Sequence, residues 1–256
     1  MPPPGGPRAR STSRANVVDA QGALLSVVLL DAAIAGLVVG GFWLAVTLMR
    51  IAGKKTGYSL VPLGFSRPRG GVLVGVGVGL AVGVGAVLVS AILNPLSVLV
   101  LERLGYSTES TVQQPFMRGL VGWVRESPGL AVPAIVLVVV LFGPAVEELV
   151  FRGAVFNGLY RLSALISSRS VSKGNPAPTT RRISFVLSAL ASSVLFALLH
   201  LEPVLLPALL ILAFALCLLF EKTQSLLPPF VAHATFNSFA ASLIILTGLG
   251  VIEIPI

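Results

Sequence analysis

Six stretches of this chain are apolar over about eighteen residues or more, and short polar segments divide them. They lie at about Ala23 to Met49, Gly71 to Leu93 and Leu130 to Leu162, then at residues 183–200, 203–220 and 226–248. Runs of roughly that length with almost no charge can cross the hydrocarbon core of a bilayer as helices. In lipid the backbone must satisfy its own hydrogen bonds, which a helix does within a single segment. The pattern therefore predicts an all-α fold, a polytopic membrane protein of about six transmembrane helices. The first stretch is too long for the core of a signal peptide and reads as a retained helix. The second, "GVLVGVGVGLAVGVGAVLVSAIL", repeats Gly among Val and Ala, a composition that lets neighbouring membrane helices approach closely.

Composition agrees with this pattern. Of 256 residues 55% are hydrophobic and 11% charged, about half the charge of an ordinary soluble domain. The net charge of +8 does not point to nucleic acid, because the basic residues fall between the apolar stretches. Segments 50–70 and 161–182 carry five Lys or Arg each and no acid. Helix parity places both on one side, and the positive-inside rule makes that side cytoplasmic. The same parity puts the N-terminus outside, against the count of its own three Arg. An integral, multi-pass protein of a bacterial plasma membrane is expected, with the lipid bilayer as its surroundings. Cys217 is the single cysteine, so no intrachain disulfide can form.

The chain divides into four parts. Residues 1–18 read as a flexible basic tail, too poor in bulky apolar side chains to order themselves. Residues 19–129 form an N-terminal membrane region with two transmembrane helices and loops, in which the mixed stretch 94–129 is expected to hold an amphipathic interfacial helix. Residues 130–248 are the candidate catalytic core, and 249–256 a C-terminal tail.

Ionisable groups at membrane depth are few, and each is a functional hypothesis. Asp31 in the first span is a lone carboxylate, expected to pack against a polar neighbour. Glu147, Glu148 and Arg152 stand in "VEELVFRG", and the chain's two histidines, His200 and His233, also fall in apolar helices. Glu148 and Arg152, spaced i, i+4, share a helix face and can pair. Glu147 lies about 140° around the helix from Arg152 and points elsewhere. A carboxylate left free of that pair suits a general base, or a ligand to a metal or a water. "FALLH" sets Phe196 and His200 one turn apart, and "HATFN" does the same for His233 and Asn237. An imidazole beside a carboxamide can orient a water or hold an oxyanion. The H-E-x-x-H signature of zincins is absent.

These motifs, in the order E-E-x-x-x-R, F-x-x-x-H and H-x-x-x-N, resemble the CAAX prenyl protease and bacteriocin-processing family of intramembrane proteases. The resemblance spans about residues 130 to 248. It implies a four-helix catalytic core around a cavity, and hydrolysis of a peptide bond in a membrane-associated or lipid-modified protein. It assigns Glu147 and His200 to activation of the water, and His233 and Asn237 to the oxyanion. Glu148 and Arg152 would support the helix, and Phe196 belongs to the second motif. Glu147, His200 and His233 are also a candidate zinc ligand set with an open fourth position. The same groups can hold a catalytic water without metal, and both versions stay open at this point. The implied partner is a membrane protein or peptide substrate. Two other classes compete: a non-catalytic membrane partner, such as a bacteriocin self-immunity protein or scaffold, and a small transporter. The transporter would need polar residues reaching both membrane faces, and the last three spans hold few.

Overall fold

The computed structural model describes residues 7–110, 113–170 and 178–253, and in it these residues form helices and loops without a strand. Helix α1 (Pro7–Ile51) leads through a 3-10 turn (Val61–Leu63) to α2 (Val72–Arg103) and the short α3 (Gln113–Glu126). One long rod follows, in which α4 (Pro128–Ile135), α5 (Gly143–Glu148) and α6 (Asn157–Ser170) are joined by two π-helical segments, Val136–Phe142 and Leu149–Phe156. Helices α7 (Pro178–Leu199), α8 (Leu206–Thr223) and α9 (Leu227–Gly248) complete the described bundle. Six helical stretches are long and apolar enough to cross a membrane, and they coincide with the six read from the sequence. The chain is a multi-pass integral membrane protein.

The boundaries shift where local chemistry overrides the apolar count. Helix α2 continues past Leu93 through Pro95 to Arg103. A membrane helix tolerates the hydrogen bond that Pro removes when its surroundings supply other partners. Helix α1 begins at Pro7, inside the stretch read as a tail. Once nucleated, a helix gains one hydrogen bond for each residue added, so a stable span carries its neighbours with it. Helix α3 is the amphipathic helix expected between residues 94 and 129. It buries Leu120, Val121, Trp123 and Val124 against α1, α4 and α9.

The glycines of α2 explain how α9 is held. Gly75, Gly79 and Gly83 recur every four residues and are buried. A Cβ on Gly79 would lie 2.7 Å from the Pro228 carbonyl oxygen, and one on Gly83 2.5 Å from that of Ala232. Backbone meets backbone here because no side chain intervenes. Gly77, on another face, has open space around it.

Two ends of the bundle are tied separately. At one, Arg69 N donates to Thr223 O at 2.9 Å, Asn157 Nδ2 to Pro62 O at 2.6 Å, and Arg181 pairs with Glu221 at 3.1 Å. Both basic segments therefore lie at the same end, as parity required. At the other, Ser110 Oγ and the Gln113 N–H donate to Glu202, which anchors the start of α3 beside the end of α7. The second end carries the cavity.

Candidate active site

The site is built on a rod that cannot stay in ordinary α-helical register. Pro144 has no N–H to give, and upstream of it the Gly143 N–H bonds to Val138 O, five residues back. Val139 O would next require a donor from residue 144, which is proline. Its partner comes instead from another helix: Asn237 Nδ2 donates to Val139 O at 3.0 Å. The second π-helical segment is braced in a similar way, with Ser192 Oγ donating to Phe151 O at 3.1 Å. Such segments often mark functional positions, and here they flank the two glutamates.

Glu148 and Arg152 form the pair expected from their spacing. Arg152 Nη1 lies 2.8 Å from Glu148 Oε1, and both side chains are buried. Arg152 also donates to Ala213 O at 3.4 Å and stacks its guanidinium 4.8 Å from the Phe196 ring centre. Glu148 does more than neutralise Arg152. The same Oε1 receives Nδ1–H of His233 at 2.8 Å, across 85 positions of sequence. That bond leaves Nε2 of His233 facing Glu147, with Oε2 at 3.6 Å.

Glu147 is the less constrained of the two. Its Oε2 is buried and has no hydrogen-bond partner among the described residues. Its side chain, 30% exposed, reaches a cavity of about 980 Å³. His200 and Asn237 line the same cavity. Nδ1 of His200 lies 2.8 Å from Phe196 O. A carbonyl only accepts, so the proton is on Nδ1 and the lone pair on Nε2 is free. Phe196 is fully buried and touches the rings of both histidines, at 4.6 Å and 5.6 Å. It fixes their spacing from below.

The sequence motifs thus meet in one place, with a division of labour that spacing alone did not reveal. His233 joins the two glutamates, and Asn237 commits one N–H to the rod while keeping a second. As placed, Glu147, His200 and His233 do not form a three-ligand set, and no group of three His, Cys, Asp or Glu among the described residues is arranged to hold a metal ion.

Three contributors were not found from the motifs. Asp31 lines the cavity beside Gly143, and its Oδ2 has no hydrogen-bond partner among the described residues. No hydrogen-bonding neighbour of the kind expected for it stands among the described residues. Glu202 also lines the cavity and follows Leu201, whose φ of 54° is rare for a residue with a side chain. Helices α1 and α3 supply the apolar wall through Ala20, Leu24, Val27 and Phe116.

Residues 129–239 match the family described as Type II CAAX prenyl endopeptidase Rce1-like. Every motif residue named above lies inside that Rce1-like segment. The chain is also similar to the "Putative membrane peptidase YdiL" of Bacillus subtilis (strain 168), 27% identical over 109 residues. That alignment covers 43% of this chain and 36% of the relative, so the chain spans only about a third of the relative's length. No solved structure matches the chain. Helices α1, α2 and α3 lie outside the Rce1-like segment, although α1 and α3 wall its cavity.

Proposed function

We propose that the protein is an intramembrane endopeptidase, hydrolysing a peptide bond of a membrane-associated or lipid-modified protein. The observation that carries this reading is the cavity wall shared by Glu147, His200 and Asn237, within the Rce1-like segment. Glu147 is the general base. A water held between its carboxylate and Nε2 of His200 gives a proton to Glu147, and the oxygen attacks the scissile carbonyl carbon. The oxyanion takes the free N–H of Asn237, and His233 lies next to it, held by Glu148. Collapse of the tetrahedral intermediate breaks the C–N bond, and the proton passes from Glu147 to the leaving amine.

Zinc is a separate proposal, and metal analysis of the purified protein tests it. Full activity in a metal-free sample leaves the reaction to the side chains. Activity lost on chelation and restored by zinc alone adds an ion to the site.

The proteolytic reading is tested in cells. Peptides released from membranes are compared by mass spectrometry for the wild type and Glu147→Gln. Peptides that vanish in the variant support the protease. Identical profiles, or full complementation of a knockout by Glu147→Ala, leave a binding role and no catalysis.

A further inference from the structure

Helix α1 puts one face into the cavity. Ala20, Ala23, Leu24, Val27 and Asp31 line it, at the i, i+3, i+4, i+7 and i+11 positions of a single helical stripe. Four apolar residues are followed by a carboxylate, one turn past Val27 and about 16 Å along the helix from Ala20. Asp31 Oδ2 lies 3.8 Å from where a Cβ on Gly143 would sit. Gly143 is one turn before Glu147 on the same helix face, so Asp31 and Glu147 line the cavity about one turn apart.

A carboxylate retained for architecture at this depth would be paired, as Glu148 is with Arg152 and His233. Asp31 Oδ2 is buried without a hydrogen bond among the described residues, which costs stability and contributes nothing to the fold. A peptide bound in the cavity brings N–H donors on both sides of its scissile bond. We infer that Asp31 is a substrate-positioning residue, whose carboxylate, reaching the cavity, accepts a hydrogen bond from a backbone N–H of the bound peptide and so sets the scissile carbonyl against Glu147. This rests on the reading of Glu147 as base. It extends the site to a helix outside the Rce1-like segment.

The test uses the full-length protein and a substrate identified by its dependence on Glu147 in the membrane-peptide comparison. Asp31→Ala is expected to raise KM roughly tenfold or more, as loss of a hydrogen bond to a charged group does, with a smaller change in kcat. Asp31→Asn keeps an acceptor of the same shape and should restore part of the KM. Both variants should melt no earlier than the wild type, because an unsatisfied buried acceptor is weakened or removed. A wild-type KM in Asp31→Ala overturns the inference, and so does a lowered melting temperature, which would show a structural partner. If Glu147→Gln kills turnover while Asp31→Ala leaves KM unchanged, only the positioning role fails. If Glu147→Gln releases the same peptides as the wild type, the protease reading falls and the role of Asp31 falls with it.

Discussion

The helices of residues 129–239 and the N-terminal helices line the same cavity, but they hold their polar side chains differently. In the Rce1-like segment nearly every polar side chain is committed to another. Glu148 holds Arg152 and His233, Asn237 holds Val139 O, and His200 holds Phe196 O. In the N-terminal region α1 and α3 bring apolar wall together with Gln113 and Arg118, and α1 brings Asp31, a carboxylate without a hydrogen bond among the described residues. Committed groups fix geometry, and their loss damages the fold. The carboxylates of Glu147 and Asp31 line the cavity and make no hydrogen bond among the described residues, which leaves them to meet water and substrate. The contrast separates residues that should fail by unfolding from residues that should fail by chemistry.

The largest stability effect belongs to the committed set. Glu148→Ala strands the buried guanidinium of Arg152, a loss of about 3–5 kcal/mol, and also frees His233 to turn. Yield and melting temperature should fall together with activity. Adding Arg152→Ala should recover part of the stability but no activity, since His233 still lacks its acceptor. Recovery of turnover in the double variant would show that Glu148 serves Arg152 alone. Detergent melting curves beside turnover per folded molecule make the comparison.

A smaller effect comes from across the boundary between the two regions. Gly83→Ala puts a Cβ against the Ala232 carbonyl and Thr235, so α9 must move, at a cost of about 1–3 kcal/mol. Because α9 carries His233 and Asn237, turnover should fall as well. Gly77→Ala adds a methyl to open space and should behave as the wild type. Equal behaviour of the two variants in a thermal melt would contradict the packing described for α2 and α9.

The π-helical segment offers a sharper separation. Asn237→Ala leaves Val139 O without its donor, which costs about 1–3 kcal/mol. Pro144→Ala supplies a backbone N–H nearby, so the pair together should regain stability. Activity should stay low, because the oxyanion has still lost its carboxamide. If turnover returns with stability, Asn237 acts only through the rod.

Much of this was legible in the sequence because it is local. Six spans follow from apolar length, and the Glu148–Arg152 pair follows from one helical turn. Close packing of the glycine-rich span follows from small residues spaced by four. What stayed hidden depends on contacts between distant segments. Nothing near Glu148 announces that His233 will reach it from another helix. Asp31 looks like a stray carboxylate until α1 is set beside Gly143. The altered register around Glu147 had a local signal in Pro133 and Pro144, but proline alone does not say which side chain will serve the freed carbonyl. Glu202 is held by Ser110 and the Gln113 N–H, about 90 positions away, which sequence periodicity does not register.

The smallest perturbation tests how the bundle sits in the membrane. Cysteines placed at Ser59 and at Ser172, which lies outside the described residues, in a chain with Cys217 replaced, should both be shielded from an impermeant reagent in intact cells and labelled after lysis. Opposite accessibility would break the shared-end arrangement in which Arg161 meets Pro62 at 3.2 Å.

The central claim is that Glu147 does chemistry while Glu148 holds the site together, and one paired measurement reaches it most directly. Turnover per folded molecule and melting temperature are recorded for Glu147→Gln and Glu148→Ala on the same substrate. The account predicts that Glu147→Gln melts like the wild type and loses at least about 100-fold in rate, while Glu148→Ala melts early and loses activity with its fold. A Glu147→Gln protein that melts early yet keeps its turnover, beside a Glu148→Ala protein that folds normally and is inactive, would reverse the two roles.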